Sequence, residues 1–317
     1  DPRQAKILAV ELKASRAVAA IKSLTVDSTG DTQDRRGDWN NGGPKTYTLT
    51  VTDTTIDLSS KNLGPADVTL LTVWIQRPEV SAALNSLTVS QNAIGATCAF
   101  RLIDGAKTGV TVKEGVFAAV DGRLGEVVMD PDSGNDVILT WLDDGTRSRY
   151  TKADKLNPVV GSRMDLVEDC SHIEQFGQAI TQLSSLDISN CNFTPASIKS
   201  FTSSVTWAEA VLAHLAVGQN QFGSDGGKTL VEAIKTSNLE SITIGKDLML
   251  PIQGELDSRS LDASNQDINP GDVIILAWWL ATPARAIINS LALGSNPIGD
   301  EAMIQLLDVL KDVSLTS

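Results

Sequence analysis

The sequence is poor in the residues that most often carry chemistry. Its 317 residues include three cysteines, two histidines and 4% aromatics, and 26 Lys+Arg stand against 39 Asp+Glu, a formal charge of −13. Each shortage excludes something. Three cysteines form no disulfide framework, and so few predict a reducing, intracellular compartment; the chain is expected to be cytoplasmic. The two histidines, His172 and His214, lie far apart in the sequence and each stands without the further cysteine and histidine ligands of a metal motif, which leaves no metal-ligand pattern. The deficit of basic charge argues against nucleic acid and against anionic membrane surfaces. The most apolar stretch, Val273 to Ala281 (VIILAWWLA), is far shorter than the ~20 residues of a membrane helix, and no signal-peptide pattern opens the chain. The length suits one large or two modest domains of ~100 to 200 residues with an ample core.

What the sequence has in quantity is self-similarity. One phrase reads apolar, any, apolar, any, any, Asn or Cys, any, apolar. Its clear copies are Leu87 to Ile94 (LTVSQNAI), Leu186 to Phe193 (LDISNCNF), Leu215 to Phe222 (LAVGQNQF) and Leu291 to Ile298 (LALGSNPI). Looser copies are Ile56 to Leu63, Ile242 to Met249 and Leu261 to Ile268, with a first strand predicted at Leu24 to Val26. Alternate apolar residues such as Leu186 and Ile188 face inward from a short strand, and Phe193 follows them as the chain turns. At the Asn or Cys position a side chain can bond backbone groups that lose water between stacked turns. Asn92, Cys191, Asn220 and Asn296 occupy that place, which reads Cys191 as structural rather than nucleophilic; Lys61, Asp247 and Gln266 depart from the pattern. Helical periodicity fills the intervals at Pro195 to Ala213, Asp225 to Thr236 and Asp300 to Lys311, whereas Ile242 to Leu261 is too short for a full helix.

A longer similarity overlies the short one. Ile56 to Gly95 matches Leu261 to Gly299 almost end to end with one residue deleted, pairing Pro65 with Pro270, Asp67 with Asp272, Trp74 with Trp279 and Pro78 with Pro283. The shared prolines fit the first turn and the end of one helix, and the tryptophans its inner face.

The phrase, recurring at about 30 residues, resembles the leucine-rich repeat family, in particular its ribonuclease-inhibitor-like class. That resemblance implies an α/β solenoid of parallel strands with outer helices, and a curved surface used to hold another protein.

Between Asn92 and Leu186 the interval is far too long for one repeat, and from Val110 to Val159 the text turns to β-type runs broken by Asp-Gly and Ser-Gly steps. Strands are predicted at Gly115 to Val120, Gly125 to Met129, Asp136 to Leu142 and Arg147 to Thr151, with a last one near Leu156. This segment resembles a small all-β SH3-like barrel of the Tudor or KOW type. The expected organisation is repeats over residues 1–97, the barrel over 98–160 and repeats over 161–317. Such barrels bind peptides or modified side chains, so Phe117, Trp141 and Tyr150 are its candidate binding residues, although alternation with Val137 and Leu139 puts Trp141 in the core.

Two tempting motifs fail on spacing. Gly223 to Thr229 (GSDGGKT) is one residue short of a phosphate-binding loop and follows a repeat strand, so it reads as a helix start. Asp130 to Asp136 (DPDSGND) lacks the glycine position and the closing glutamate of a calcium loop. The polar loop Asp27 to Lys45 is expected to be mobile, with Trp39 either folded back or contacting a partner.

Parallel stacking predicts a binding face from the open strand positions Asp57, Ser59, Thr88, Ser90, Asp187, Ser189, Asp262 and Ser264. The acids among them favour a protein partner with a basic segment. No catalytic constellation, cofactor motif or metal site is legible. The expectation is a non-catalytic interaction scaffold, a fragment of a larger repeat protein, with oligomeric state open. The alternative is a regulatory or sensor module in which the barrel recognises a peptide or modified side chain.

Overall fold

The repeat phrase folds as a short strand followed by a turn, and most of the protein is assembled by laying such strands side by side. The computed structural model describes residues 2–14, 21–31, 38–95, 98–100, 117–120, 123–128, 133–141, 147–148, 150–153, 157–159, 166–168, 170–254, 258–282 and 288–312. The chain divides into two compact units, residues 1–96 with 170–317, and residues 97–169.

The first unit opens with α1 (Pro2–Ala14), β1 (Ser23–Asp27), β2 (Thr46–Thr50), β3 (Thr55–Asp57), α2 (Pro65–Ile75), α3 (Pro78–Ser81) and β4 (Ser86–Thr88). The second unit contributes β5 (Cys98–Phe100), β6 (Phe117–Val120), β7 (Arg123–Val127), β8 (Asp136–Val137), β9 (Leu139–Trp141), β10 (Thr151–Lys152), β11 (Asn157–Val159) and β12 (Leu166–Glu168). The first unit resumes with α4 (Ser171–Ala179), β13 (Ser185–Asp187), α5 (Pro195–Ser204), β14 (His214–Ala216), α6 (Gly223–Ile234), β15 (Ser241–Ile244), β16 (Leu248–Pro251), β17 (Ser260–Asp262), α7 (Pro270–Leu280), β18 (Ser290–Ala292) and α8 (Asp300–Asp312).

In the first unit β3, β4, β13, β14 and β15 lie parallel in that order, and β16 pairs antiparallel with β15 at one edge. Ile56, Leu87, Leu186, Leu215 and Ile242 stand in one buried row across the sheet. β17 and β18 form a separate parallel pair with Leu261 opposite Leu291. The helices pack in a row, α1 on α2, then α4, α5, α6, α7 and α8. α2 and α7 have neighbours on both sides, which explains why they are apolar all round. Close stacking leaves no room at Gly218, where an added Cβ would lie 1.9 Å from the Gly245 carbonyl oxygen.

Several elements differ from the sequence expectation. β1 is not a first parallel strand but pairs antiparallel with β2, Val26 opposite Tyr47. The interval after Ile242, expected to be too short for a full helix, forms the β15–β16 hairpin. Pro78 opens the separate α3 instead of ending α2. α5 stops at Ser204, because Thr202, Ser203 and Ser204 turn their hydroxyls back on the Lys199, Ser200 and Phe201 carbonyls and Val205 is already extended. Trp207, expected within that helix, folds under it with its indole N–H on the Thr202 carbonyl, edge-on to Phe201.

In the second unit β11, β6, β7 and β9 form an antiparallel sheet, with β8–β10 and β5–β12 as two further pairs. Among the described residues no sheet closes into a barrel. The strand expected over residues 136–142 is interrupted at Ile138, and Val127, Val137 and Leu139 are fully buried. Leu156 lies outside the described residues. The molecule is thus mixed α/β, and no helix among the described residues is long and apolar enough to cross a membrane.

Candidate functional site

The residues after each buried leucine or isoleucine of the first unit's sheet also fall into register. Asp57, Thr88, Asp187, Ala216 and Thr243 form one row, and Asp262 stands opposite Ala292 in the separate pair. At about 4.8 Å per strand, Asp57 and Asp187 are roughly 10 Å apart along that row. Each acid is shaped by its own turn. Asp57 Oδ1 accepts the Ser59 backbone N–H at 2.9 Å and its hydroxyl at 2.6 Å, Asp187 accepts Ser189 N–H at 2.8 Å, and Asp262 accepts Ser264 N–H at 2.9 Å. The Asp-x-Ser spacing is therefore an Asx turn. The Ser59 hydroxyl holds Asp57, and the Ser264 backbone N–H holds Asp262, below the usual carboxylate range, so both keep their charge to lower pH. Ser90 is buried rather than presented.

One row back, Thr55, Ser86, Ser185, His214 and Ser241 are aligned, with His214 Nδ1 2.9 Å from Ser241 Oγ. Sequence reasoning left His214 off the face, although its alignment with Ser86, Ser185 and Ser241 was the available signal.

Beneath the face runs a ladder of amides. Asn220 Oδ1 accepts the Cys191 and Phe193 N–H groups while its Nδ2 donates to the Ile188 and Val217 carbonyls. Asn92 does the same with Leu63 N–H and the Leu58 and Val89 carbonyls, and Asn296 with Gln266 and Ile268 N–H and the Ala263 and Leu293 carbonyls. Each side chain thus sews its own turn to the one before it. Cys191 takes this place with a single donor, its Sγ lying 3.1 Å from the Val89 carbonyl, and burial pushes the thiol up to about 12. Gln266, at the amide position of the looser copy Leu261 to Ile268, partly substitutes by accepting Asp247 N–H.

The remaining predicted residues are dispersed. Trp39 is 43% exposed beside Gly43, in a loop fastened by Asp31, which accepts the Asn41 and Gly43 N–H groups; residues 38–45 are thus tied down where mobility was expected. In the second unit Tyr150 is 66% exposed, while the side chains of Phe117 and Trp141, on β6 and β9, lie outside the described residues. Gly223 to Thr229 opens α6, with Lys228 3.7 Å from Asp225, and a groove of ≈ 380 Å³ nearby is lined by Gln219, Asp267 and Asn269, its acid paired with Lys246 at 3.1 Å.

Compared with known proteins, the chain matches no protein-family model and no curated protein. The geometry offers hydrogen-bonding hydroxyls and fixed negative charge on a regular lattice, suited to holding a chain laid across the strands.

Proposed function

We propose that the protein is a non-catalytic interaction scaffold: a leucine-rich-repeat solenoid, interrupted by an SH3-like barrel, whose strand face holds a positively charged segment of a partner protein. The observation that carries the reading is the registered row Asp57, Thr88, Asp187, Ala216 and Thr243, in which two acids flank a threonine and small neutral residues follow at strand spacing. Small side chains let a partner backbone approach, and the acids select its charge. The amide ladder supports the reading, since it holds the turns rigid and keeps the face from shifting on binding.

Affinity capture with the whole chain tests it, alongside Asp57→Lys/Asp187→Lys and a chain lacking residues 110–159. Capture lost on charge reversal and kept without the insertion is the expected pattern. The reverse pattern would replace it with the second reading, a sensor module acting through the inserted segment, which the exposed Tyr150 favours.

A further inference from the structure

The turns that follow β3, β4 and β13 are stacked by backbone hydrogen bonds, Ser60 N–H on the Ser90 carbonyl at 3.0 Å and Gln91 N–H on the Ser189 carbonyl at 2.9 Å. Beside them lies a groove of ≈ 270 Å³ whose lining holds no ionisable side chain and is rich in carboxamides: Asn41, Asn62, Gln91, Asn190 and Asn192. The ladder amides are spent on buried backbone groups, and these are not. Asn62 Nδ2 donates to the Asn41 and Gly43 carbonyls at 2.9 and 2.7 Å, which leaves its Oδ1, and Gln91 Oε1 accepts the Ser60 hydroxyl, which leaves its Nε2. Asn190 and Asn192 are exposed, and their side chains make no hydrogen bond among the described residues. The groove therefore presents donors and acceptors side by side without net charge.

Turn geometry alone does not explain this set. Asn62, Gln91, Asn190 and Asn192 have φ between 50° and 58°, the left-handed region that glycine enters most easily. Asparagine tolerates it, but glutamine gains nothing there. Trp39 is tied to the same groove. Its ring lies against Gly43, where an added Cβ would meet it at 3.2 Å, and Asn62 holds the carbonyls of Gly43 and of the groove-lining Asn41. The indole stands outside the hydrophobic core and is 43% exposed. The amides also continue along the stack. Asn190 N–H bonds the Gly218 carbonyl at 2.9 Å, and Gln219, Gln221 and Asn269 line the groove of ≈ 380 Å³.

Paired donors and acceptors beside an exposed aromatic ring suit the hydroxyls and the apolar face of a sugar ring, whereas a charged ligand would find no counter-charge among Asn41, Asn62, Gln91, Asn190 and Asn192. We propose that this edge of stacked turns is a carbohydrate-binding site, which takes a neutral oligosaccharide along the turns with one ring on Trp39. It lies on the turns and not on the strands, and it does not depend on what the strand face holds.

Isothermal titration calorimetry of the whole chain with uncharged hexasaccharides of glucose, of mannose and of galactose, each to about 10 mM, covers the micromolar to millimolar range of such sites. At least one should bind. Trp39→Ala and, separately, Gln91→Gly/Asn190→Gly/Asn192→Gly should each weaken that binding at least tenfold. Glycine keeps the left-handed turns, so the circular dichroism of the triple variant should be that of the wild type. Asp57→Lys/Asp187→Lys should leave the affinity within twofold and added salt should not lower it, which separates this site from the charged strand face. Failure of all three sugars to bind overturns the proposal, as does affinity retained by both groove variants or binding confined to an anionic hexagalacturonate. An uncharged Gly-Ser peptide should not bind; if it binds and the sugars do not, the groove is a peptide site and the proposal falls.

Discussion

Asp67 and Asp272 hold the same place in the two duplicated blocks, in the first turn of α2 and of α7, yet they meet different surroundings. Asp67 is buried and fully engaged: Oδ2 accepts Thr29 N–H and hydroxyl and Gly64 N–H at 2.6 to 2.9 Å, and Oδ1 accepts the Tyr47 hydroxyl at 3.0 Å. Burial, reinforced by that carboxylate, keeps Tyr47 protonated. Asp272 is equally buried, but only its Oδ2 is engaged, by Asn269 N–H at 3.2 Å, and Oδ1 has no hydrogen-bond partner. Burial pushes its carboxyl up to about 7, with nearby backbone N–H groups offsetting this only in part. The tryptophans reverse the imbalance. Trp279 donates to the Pro251 carbonyl at 2.7 Å, while Trp74 Nε1 has no partner and its ring is covered by Arg77 at 4.6 Å. The cause is the neighbour on the N-terminal side. Block one follows the β1–β2 pair, which brings Thr29 and Tyr47, and block two follows β15–β16, which brings Pro251. Two blocks that share their aspartate, tryptophan and prolines thus acquire opposite defects from the elements they pack against.

The comparison can be broken or sharpened by substitution. The largest effect is expected at the shared ladder amide: Asn92→Ala takes away the side-chain partner of the buried Leu63 N–H and Leu58 carbonyl and one of the donors to the Val89 carbonyl, and should cost on the order of 3–5 kcal/mol in chemical denaturation, whereas Asn296→Ala, half-buried and reachable by water, should cost about half as much. Equal costs would mean that burial does not separate the blocks. Asp67→Ala comes next, at about 3 kcal/mol, because it leaves the Tyr47 and Thr29 donors buried without an acceptor.

Asp272→Asn should act in the opposite direction. A carboxyl whose folded pKa lies near 7, above its unfolded value of 3.8, contributes stability that is full below the unfolded value and lost as pH rises through about 7. The variant should therefore match or exceed wild type by roughly 2 kcal/mol at pH 8 and flatten the stability profile between pH 4 and 7. A profile unchanged by the substitution would assign the pH dependence elsewhere. The smallest contrast is Trp279→Phe against Trp74→Phe, the first losing about 1 kcal/mol more because it alone gives up a hydrogen bond. Thermal unfolding of the pair measures it.

Much of the framework was readable from residue pattern. The phrase around Leu87, Leu186, Leu215 and Ile242 predicted strands that do align, and the Asn/Cys position predicted side chains that do bond buried backbone. The hairpin partners were not readable, since nothing local distinguishes Leu24 to Val26 as antiparallel from a first parallel strand. Nor was the fate of Thr202 to Ser204, where hydroxyls compete with the helix ladder and tertiary space for Trp207 decides the outcome. Of the candidate face, the positions of Asp57, Asp187 and Asp262 were legible but not their Asx turns, and His214, aligned in sequence with Ser86, Ser185 and Ser241, was weighed only as a metal or catalytic residue and not as part of the face.

By itself the sequence determined the repeat period, the inward row of leucines and isoleucines, the amide position and the acidic balance, because each depends on local alternation and composition. Tertiary structure alone decided which buried polar group in each duplicated block finds a partner and which strands run antiparallel. Those outcomes depend on what an element is packed against, and two blocks that share their key residues have different neighbours.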